Sequence, residues 1–120
     1  SFEIVETEYV GEKKVNKILS NKLKIYKKNP EAIKKFNIFI NSKSTKATIT
    51  KDKKGNPTQF SMGISITLKI NNEIEKTFLE NSTYDNSKDK FDLGKYEDNL
   101  IQNMTEKIFS EMILFLQTNS

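Results

Sequence analysis

The stretch Phe60-Ser61-Met62-Gly63-Ile64-Ser65-Ile66-Thr67-Leu68-Lys69-Ile70 decides how this chain is read. Every even-numbered residue in it is large and apolar, and every odd-numbered one is small or polar. Successive side chains of an extended backbone point to opposite faces, so alternation this strict makes a strand with one face on a core. The other face looks toward water or a polar partner.

Reading outward from that strand, Asn71-Asn72 makes a tight turn, and a fourth strand runs from about Ile74 to Tyr84. On the other side, Lys51-Asp52-Lys53-Lys54-Gly55-Asn56-Pro57 is a turn cluster. Before it, Phe36, Ile38 and Ile40 alternate with Asn37, Phe39 and Asn41 as a second strand. Its apolar phase then moves to the odd-numbered Ala47 and Ile49, which predicts a bulge or break near Ser42–Ser44. Further upstream, Val15, Ile18, Leu19, Lys22, Leu23 and Tyr26 lie on one face of a helix predicted over residues 12–28. Asn29-Pro30 stops it, because proline pushes the preceding residue out of the α region. Phe2, Ile4 and Val5 begin a short strand before Gly11.

Residues 81–94 are polar and turn-rich, and a long helix follows over about Lys95–Gln117. Ile101, Met104, Ile108, Met112 and Phe115 mark its stripe, widened by Leu100, Phe109, Ile113 and Leu116. Asp92 is its expected N-cap, and Glu97 and Asp98 sit near the positive end of its dipole. At ~1.5 Å per residue it is about 35 Å long, enough to cross four strands diagonally. The order is β-α-β-β-β-α in a single domain over residues 1–120. One apolar stripe per helix and one apolar face per strand imply an α+β two-layer sandwich. It has a four-stranded mixed sheet with both helices packed on one face.

Leu, Ile, Val and Phe supply 33 of the 120 residues, above the level of roughly one fifth below which disorder is expected. All 20 basic residues are lysine, and the chain has no Arg, His, Cys or Trp. That excludes disulfides, a thiolate nucleophile, a Cys/His zinc site and a histidine-based triad. Residues 1–60 carry 14 Lys against 6 acids, and residues 61–120 carry 6 Lys against 10 acids. A basic half suits an anionic partner. The longest apolar run, Met112–Leu116, is far short of the ~18 residues that span a bilayer. The chain opens directly in a strand, so a targeting segment would lie upstream.

Candidate chemistry fails residue by residue. Asp85, Ser87 and Asp89 match the first positions of a calcium loop, but Lys90 stands where glycine is needed and Tyr96 where a bidentate glutamate is needed. Glu73 and Glu75 follow a hairpin turn with nothing to complement them and read as solvated edge charges. No glycine-rich phosphate loop is present, so the chain is expected to be non-enzymatic and to carry no cofactor or metal. Lys51, Lys53 and Lys54 remain. Three ammonium groups on one protruding turn suit phosphates, to which lysine binds as a point charge.

The element order, the Gly55-Asn56-Pro57 turn after a basic stretch and the alternating third strand together resemble the lipopolysaccharide-assembly lipoproteins of the LptE family. Ser82-Thr83-Tyr84-Asp85, leading through a polar loop into a helix with Glu97, Leu100, Met104, Ile108 and Leu116, adds to the likeness, which covers nearly the whole chain. Val15–Tyr26 corresponds to that family's first helix, with Leu19 and Leu23 in its leucine-rich stretch. Lys17 is the basic residue nearest the position of the family's usual arginine. The family's lipid-bearing N-terminal cysteine is absent here.

The resemblance implies a lipoprotein anchored at the periplasmic side of the outer membrane, held to the membrane by its lipid alone. It also implies an LptD-type β-barrel partner that the protein plugs and helps to assemble, delivery of lipopolysaccharide to the cell surface, and a monomer when isolated. The family's hairpin between strands two and three, here Lys51–Gln59, is associated with lipopolysaccharide contact. Lys51, Lys53 and Lys54 are therefore the expected lipopolysaccharide-binding residues. An alternative is an interaction domain of another envelope transport or secretion complex. A nucleic-acid-binding α+β module is disfavoured, because the polar face of the third strand carries no stacking aromatic.

Overall fold

The computed structural model describes the whole chain, Ser1–Ser120. Its elements are β1 (Phe2–Gly11), α1 (Lys13–Leu23), β2 (Lys34–Lys51), β3 (Pro57–Ile70), β4 (Ile74–Asp85) and α2 (Lys90–Thr118), with a 3-10 turn at Lys24–Tyr26. The sheet order follows the chain, β1-β2-β3-β4. β1 runs parallel to β2, and the other neighbours are antiparallel. Lys14 pairs with Asp98 and Lys22 with Glu106, so α1 and α2 lie side by side and run in the same direction.

The even-numbered residues of β3 face the helices as the alternation requires. Ile64, Ile66, Leu68 and Ile70 join Val15, Leu19 and Leu23 of α1 and Met104, Ile108, Met112, Ile113 and Leu116 of α2 in the main core. Ile101 and Phe115 are only partly buried at its margin, so the inward stripe of α2 is rotated slightly toward Ile113 and Leu116. A second, smaller core of Phe60, Met62, Tyr84 and Leu93 lies further along the hairpin. At ~3.3 Å per residue the 18-residue β2 accounts for the long axis of a 60 × 24 × 20 Å molecule.

Several boundaries differ from expectation. α1 ends at Leu23, and Lys24–Tyr26 tightens into the 3-10 turn. α2 begins at Lys90 rather than Lys95, and Asp89, not Asp92, caps it, accepting from the backbone N–H groups of Phe91 at 2.9 Å and Asp92 at 3.2 Å. No bulge lies at Ser42–Ser44, where the pairing Ser42↔Ile66 and Ser44↔Ile64 is regular; the shifts come at Thr48–Lys51. Ala47, opposite Ser61, therefore sits on the open face, and Ile49 falls within the shift and is exposed.

The reason lies at Ser42. It continues the inward phase and is buried because the β1–α1 corner docks on it. Its hydroxyl accepts from the Glu12 N–H at 3.0 Å and donates to Asn16 Oδ1 at 2.7 Å. Gly11 makes the corner possible: its φ is +105°, and a Cβ there would lie 1.9 Å from the Ser42 carbonyl oxygen. Beyond that corner neither β1 nor α1 covers β2, so the apolar residues there no longer report a core.

The other face of the sheet is open and mostly polar, although Val10 and Leu79 are exposed on it. The register brings Asn41 beside Thr67, Lys43 beside Ser65 and Thr67 beside Thr77, whose hydroxyls lie 2.9 Å apart. Gly63 is buried on this face because Thr45 and Asn81 close over it; a Cβ would stand 2.7 Å from Asn81 Oδ1 and 2.9 Å from Thr45 Oγ1.

Candidate functional site

The turn that joins β2 to β3 is organised by Asp52. Its carboxylate accepts from the N–H groups of Lys54 and Asn56, both at 2.9 Å, and from the Asn56 side chain at 3.3 Å. Gly55, at φ +88°, supplies the left-handed step the turn needs. The hydrogen bonds from Asn56 come first in holding the Asp52 carboxyl below the usual carboxylate range. Asp52 is thus committed to the turn. Lys51, at the end of β2, and Lys53 and Lys54, in the turn, are exposed and form no ion pair. The structure brings these three predicted residues together on one protruding end.

Two further lysines join them. Asn86 donates from its backbone N–H to the Thr58 carbonyl and from its side chain to the Pro57 carbonyl, each at 2.9 Å. These bonds pin the β4–α2 connection to the base of the hairpin. They set Lys88 and Lys90 along a shallow concavity shared with Asp52, Asn56 and Thr58. Of the nearby carboxylates, Asp85 accepts from Gln59 at 3.2 Å and Asp89 caps α2, while Asp92 lies exposed in the first turn of that helix. Phe91, 72% exposed, stands in the first turn of α2 with the Lys95 ammonium 5.5 Å from its ring centre. Sequence reasoning missed Lys88 and Lys90, although the hairpin register carries the signal. With Ile70 opposite Ile74, Gln59 must fall opposite Asp85, which delivers the following loop to the same end.

Beneath the tip, on the helix side, lies a polar clamp. Lys46 Nζ is 2.8 Å from Glu97 Oε2 and 4.2 Å from the centre of the Phe60 ring, and the Tyr84 hydroxyl donates to the same carboxylate oxygen. Burial first, then the Glu97 carboxylate, pushes the Tyr84 hydroxyl well above the ordinary tyrosine range. Desolvation acts to raise the Glu97 carboxyl, but Lys46 and Tyr84 outweigh it and hold the group low. The clamp fastens the first turns of α2 to β2 and β4, beneath the hairpin and the Lys88–Lys90 loop. No cluster of three or more metal-ligating side chains occurs, and no helix is long and apolar enough to cross a membrane.

The overall fold is shared with known structures. Rare lipoprotein B from Shewanella oneidensis superimposes with a TM-score of 0.58 at 8% identity, covering 95% of each chain. A minor lipoprotein from Acinetobacter baumannii gives 0.58 at 10% identity over 92% of this chain and 90% of its own. Lipoprotein B from Nitrosomonas europaea gives 0.57 at 11% over 92% and 81%. The chain therefore shares its fold with these bacterial lipoproteins. No family profile matches the chain, and no curated protein matches it in sequence. Likeness at such identity lies in the arrangement of strands and helices, which the burial pattern preserves while individual side chains change.

Proposed function

We propose that this protein is an envelope lipoprotein of the LptE kind. In this reading it sits within an LptD-type outer-membrane β-barrel, helps to assemble it, and assists passage of lipopolysaccharide to the cell surface. The observation that carries the reading is the lysine tip: Lys51, Lys53 and Lys54, joined by Lys88 and Lys90, all without carboxylate partners at one end of a 60 Å molecule. Lipopolysaccharide is a phosphorylated lipid, and clustered ammonium groups suit its phosphates, with Phe91 offering an apolar surface beside them. The fold shared with bacterial lipoproteins supports the envelope setting. The polar open face supports a wet barrel lumen as its surroundings, since barrel interiors of that kind are polar.

Each ammonium near an anionic lipid surface is worth about 1 kcal/mol, screened within a Debye length of ~8–10 Å. Replacing Lys51, Lys53 and Lys54 together by alanine should therefore weaken lipopolysaccharide binding by up to roughly a hundredfold at low salt. The difference should shrink as salt rises, and thermal unfolding should be unchanged. Equal binding by two folded proteins at low salt would remove the lysines from the site. The barrel role is tested separately. Co-expression with the LptD-type barrel of the same genome and affinity purification should recover a stable complex; its failure to form would sink the plug reading and leave the lipid test standing.

A further inference from the structure

The opposite end of the molecule carries a second feature. The connection from α1 to β2 together with the first two residues of β2, residues 24–35, reads Lys-Ile-Tyr-Lys-Lys-Asn-Pro-Glu-Ala-Ile-Lys-Lys. It is held firmly. Tyr26 stacks on Phe2 at 5.2 Å and packs against Phe109 at 6.3 Å, while Leu23 is fully buried. An Asn29-Pro30-Glu31-Ala32 turn closes with a 3.1 Å bond from the Ala32 N–H to the Asn29 carbonyl. With Leu23 and Tyr26 facing inward, Ile25 is driven outward and is 79% exposed, and Ile33 is 89% exposed. These are the two most exposed large aliphatic residues of the chain.

Lysines surround them. Lys24, Lys27, Lys28, Lys34 and Lys35 are all exposed, and none forms an ion pair. Glu31 is the one carboxylate within the segment; Glu3 on β1 stands opposite Lys35, and Glu73 and Glu75 lie across the sheet at the β3–β4 turn. A single exposed aliphatic residue on a protein surface needs no explanation. Two of them on one connection, among unpaired lysines, match what an anionic bilayer selects: apolar groups that enter the headgroup boundary and cations that remain among the phosphates. Ser1 and Phe2 lie at this same end, since Phe2 pairs with Lys34.

We propose that the α1–β2 connection is a membrane-contact patch, in which Ile25 and Ile33 enter the headgroup region of an anionic bilayer and the neighbouring lysines bind lipid phosphates. The contact needs neither a barrel partner nor lipopolysaccharide, and it stands at the far end of β2 from the Lys51–Lys54 turn. A lipid carried on the N-terminal side would reinforce it, because one weak membrane signal gives reversible binding and two give stable anchoring.

The chain has no tryptophan, so Ile33→Trp installs a single fluorescent reporter, and Asn56→Trp installs one at the opposite tip. Both are placed in a background with Lys51, Lys53 and Lys54 changed to alanine, so that the tip does not compete for vesicles. Mixed with phosphatidylcholine–phosphatidylglycerol vesicles at low salt, the Ile33→Trp emission should shift to the blue. The Asn56→Trp emission should stay fixed, and pure phosphatidylcholine should give a much smaller response. In the same background, Ile25→Ser/Ile33→Ser should lose at least about tenfold in vesicle co-sedimentation with an unchanged circular dichroism spectrum. The proposal is overturned by an unmoved Ile33→Trp emission, by a shift at Asn56→Trp instead, or by serine variants that sediment like their parent. A patch that serves a protein partner gives the first of these results.

Discussion

The two ends of this molecule are both rich in lysine, yet they rest on different foundations. The end with the α1–β2 connection stands on the main core, where both helices and all four strands contribute buried side chains. The end with the Asp52–Asn56 turn stands on a cluster of four, Phe60, Met62, Tyr84 and Leu93, and relies on a polar clamp to hold α2 in place. The first end presents aliphatic groups among its lysines; the hairpin turn of the second presents Gly, Asn and Pro. Similar charge therefore serves different surfaces. An apolar foundation lets a loop expose isoleucine without losing its shape, whereas a turn built from Asp52 hydrogen bonds is shaped by polar groups and stays wet.

The largest expected effect tests the body that separates the ends. Ile66→Asp places a carboxylate in a fully buried site of the main core, and it should cost more than about 4 kcal/mol and unfold both ends together. Persistence of a cooperative urea transition near the wild-type midpoint would mean that the two foundations are independent. Gly11→Ala comes next. The added methyl meets the Ser42 carbonyl at a backbone angle that disfavours side chains. A loss of about 2–4 kcal/mol is expected, and hydrogen exchange should localise it to β1 and α1 while the tip keeps its protection.

Tyr84→Phe sharpens the comparison from the other side. It removes the hydroxyl that donates to Glu97 and should cost about 1 kcal/mol, with exchange rising in the hairpin and the start of α2 but not in α1. The same clamp has a pH signature. Glu97 titrates below its ordinary 4.5 in the folded chain, so its contribution is complete above that pH and fades as the pH falls through the depressed value. Tyr84 titrates above its ordinary 10.0, so its contribution holds below that pH and fades as the pH rises through the elevated value. In urea unfolding, the stability gap between wild type and Glu97→Gln should hold steady above pH 4.5 and narrow progressively as the pH falls below it; a gap that stays constant through that acid range would show that the carboxylate charge is immaterial. The smallest effect belongs to Ile25→Ser/Ile33→Ser. Because both side chains already face solvent, stability should change by no more than about 0.5 kcal/mol in thermal unfolding, whatever happens to vesicle binding.

Much of the architecture was legible because alternation and helical spacing are local. The period-two pattern of Phe60–Ile70 requires one buried face, and the stripes of both helices require one partner layer; the two-layer sandwich follows from those requirements. The lysines at 51, 53 and 54 were legible for the same reason, since a Gly-Asn-Pro turn between two strands must protrude. Helix ends were read several residues out at Lys95, because Asp89 and Asp92 are both chemically fit to cap and only the packing of Leu93 against Phe60, Met62 and Tyr84 chooses between them.

What the sequence by itself determined is therefore which faces are apolar and where the chain must turn. What only the tertiary structure decided is what lies against those faces. Ser42 looks like a break in a strand when read alone, but the β1–α1 corner arrives there from 30 residues away and buries it. Lys88 and Lys90 read as ordinary loop charges until Asn86 ties their loop to Pro57 and Thr58. Ile25 reads as another apolar residue in a helix until Leu23 and Tyr26 occupy the inward positions and leave it in solvent. In each case the deciding contact joins segments far apart in the chain, and local spacing carries no information about a neighbour that only folding supplies.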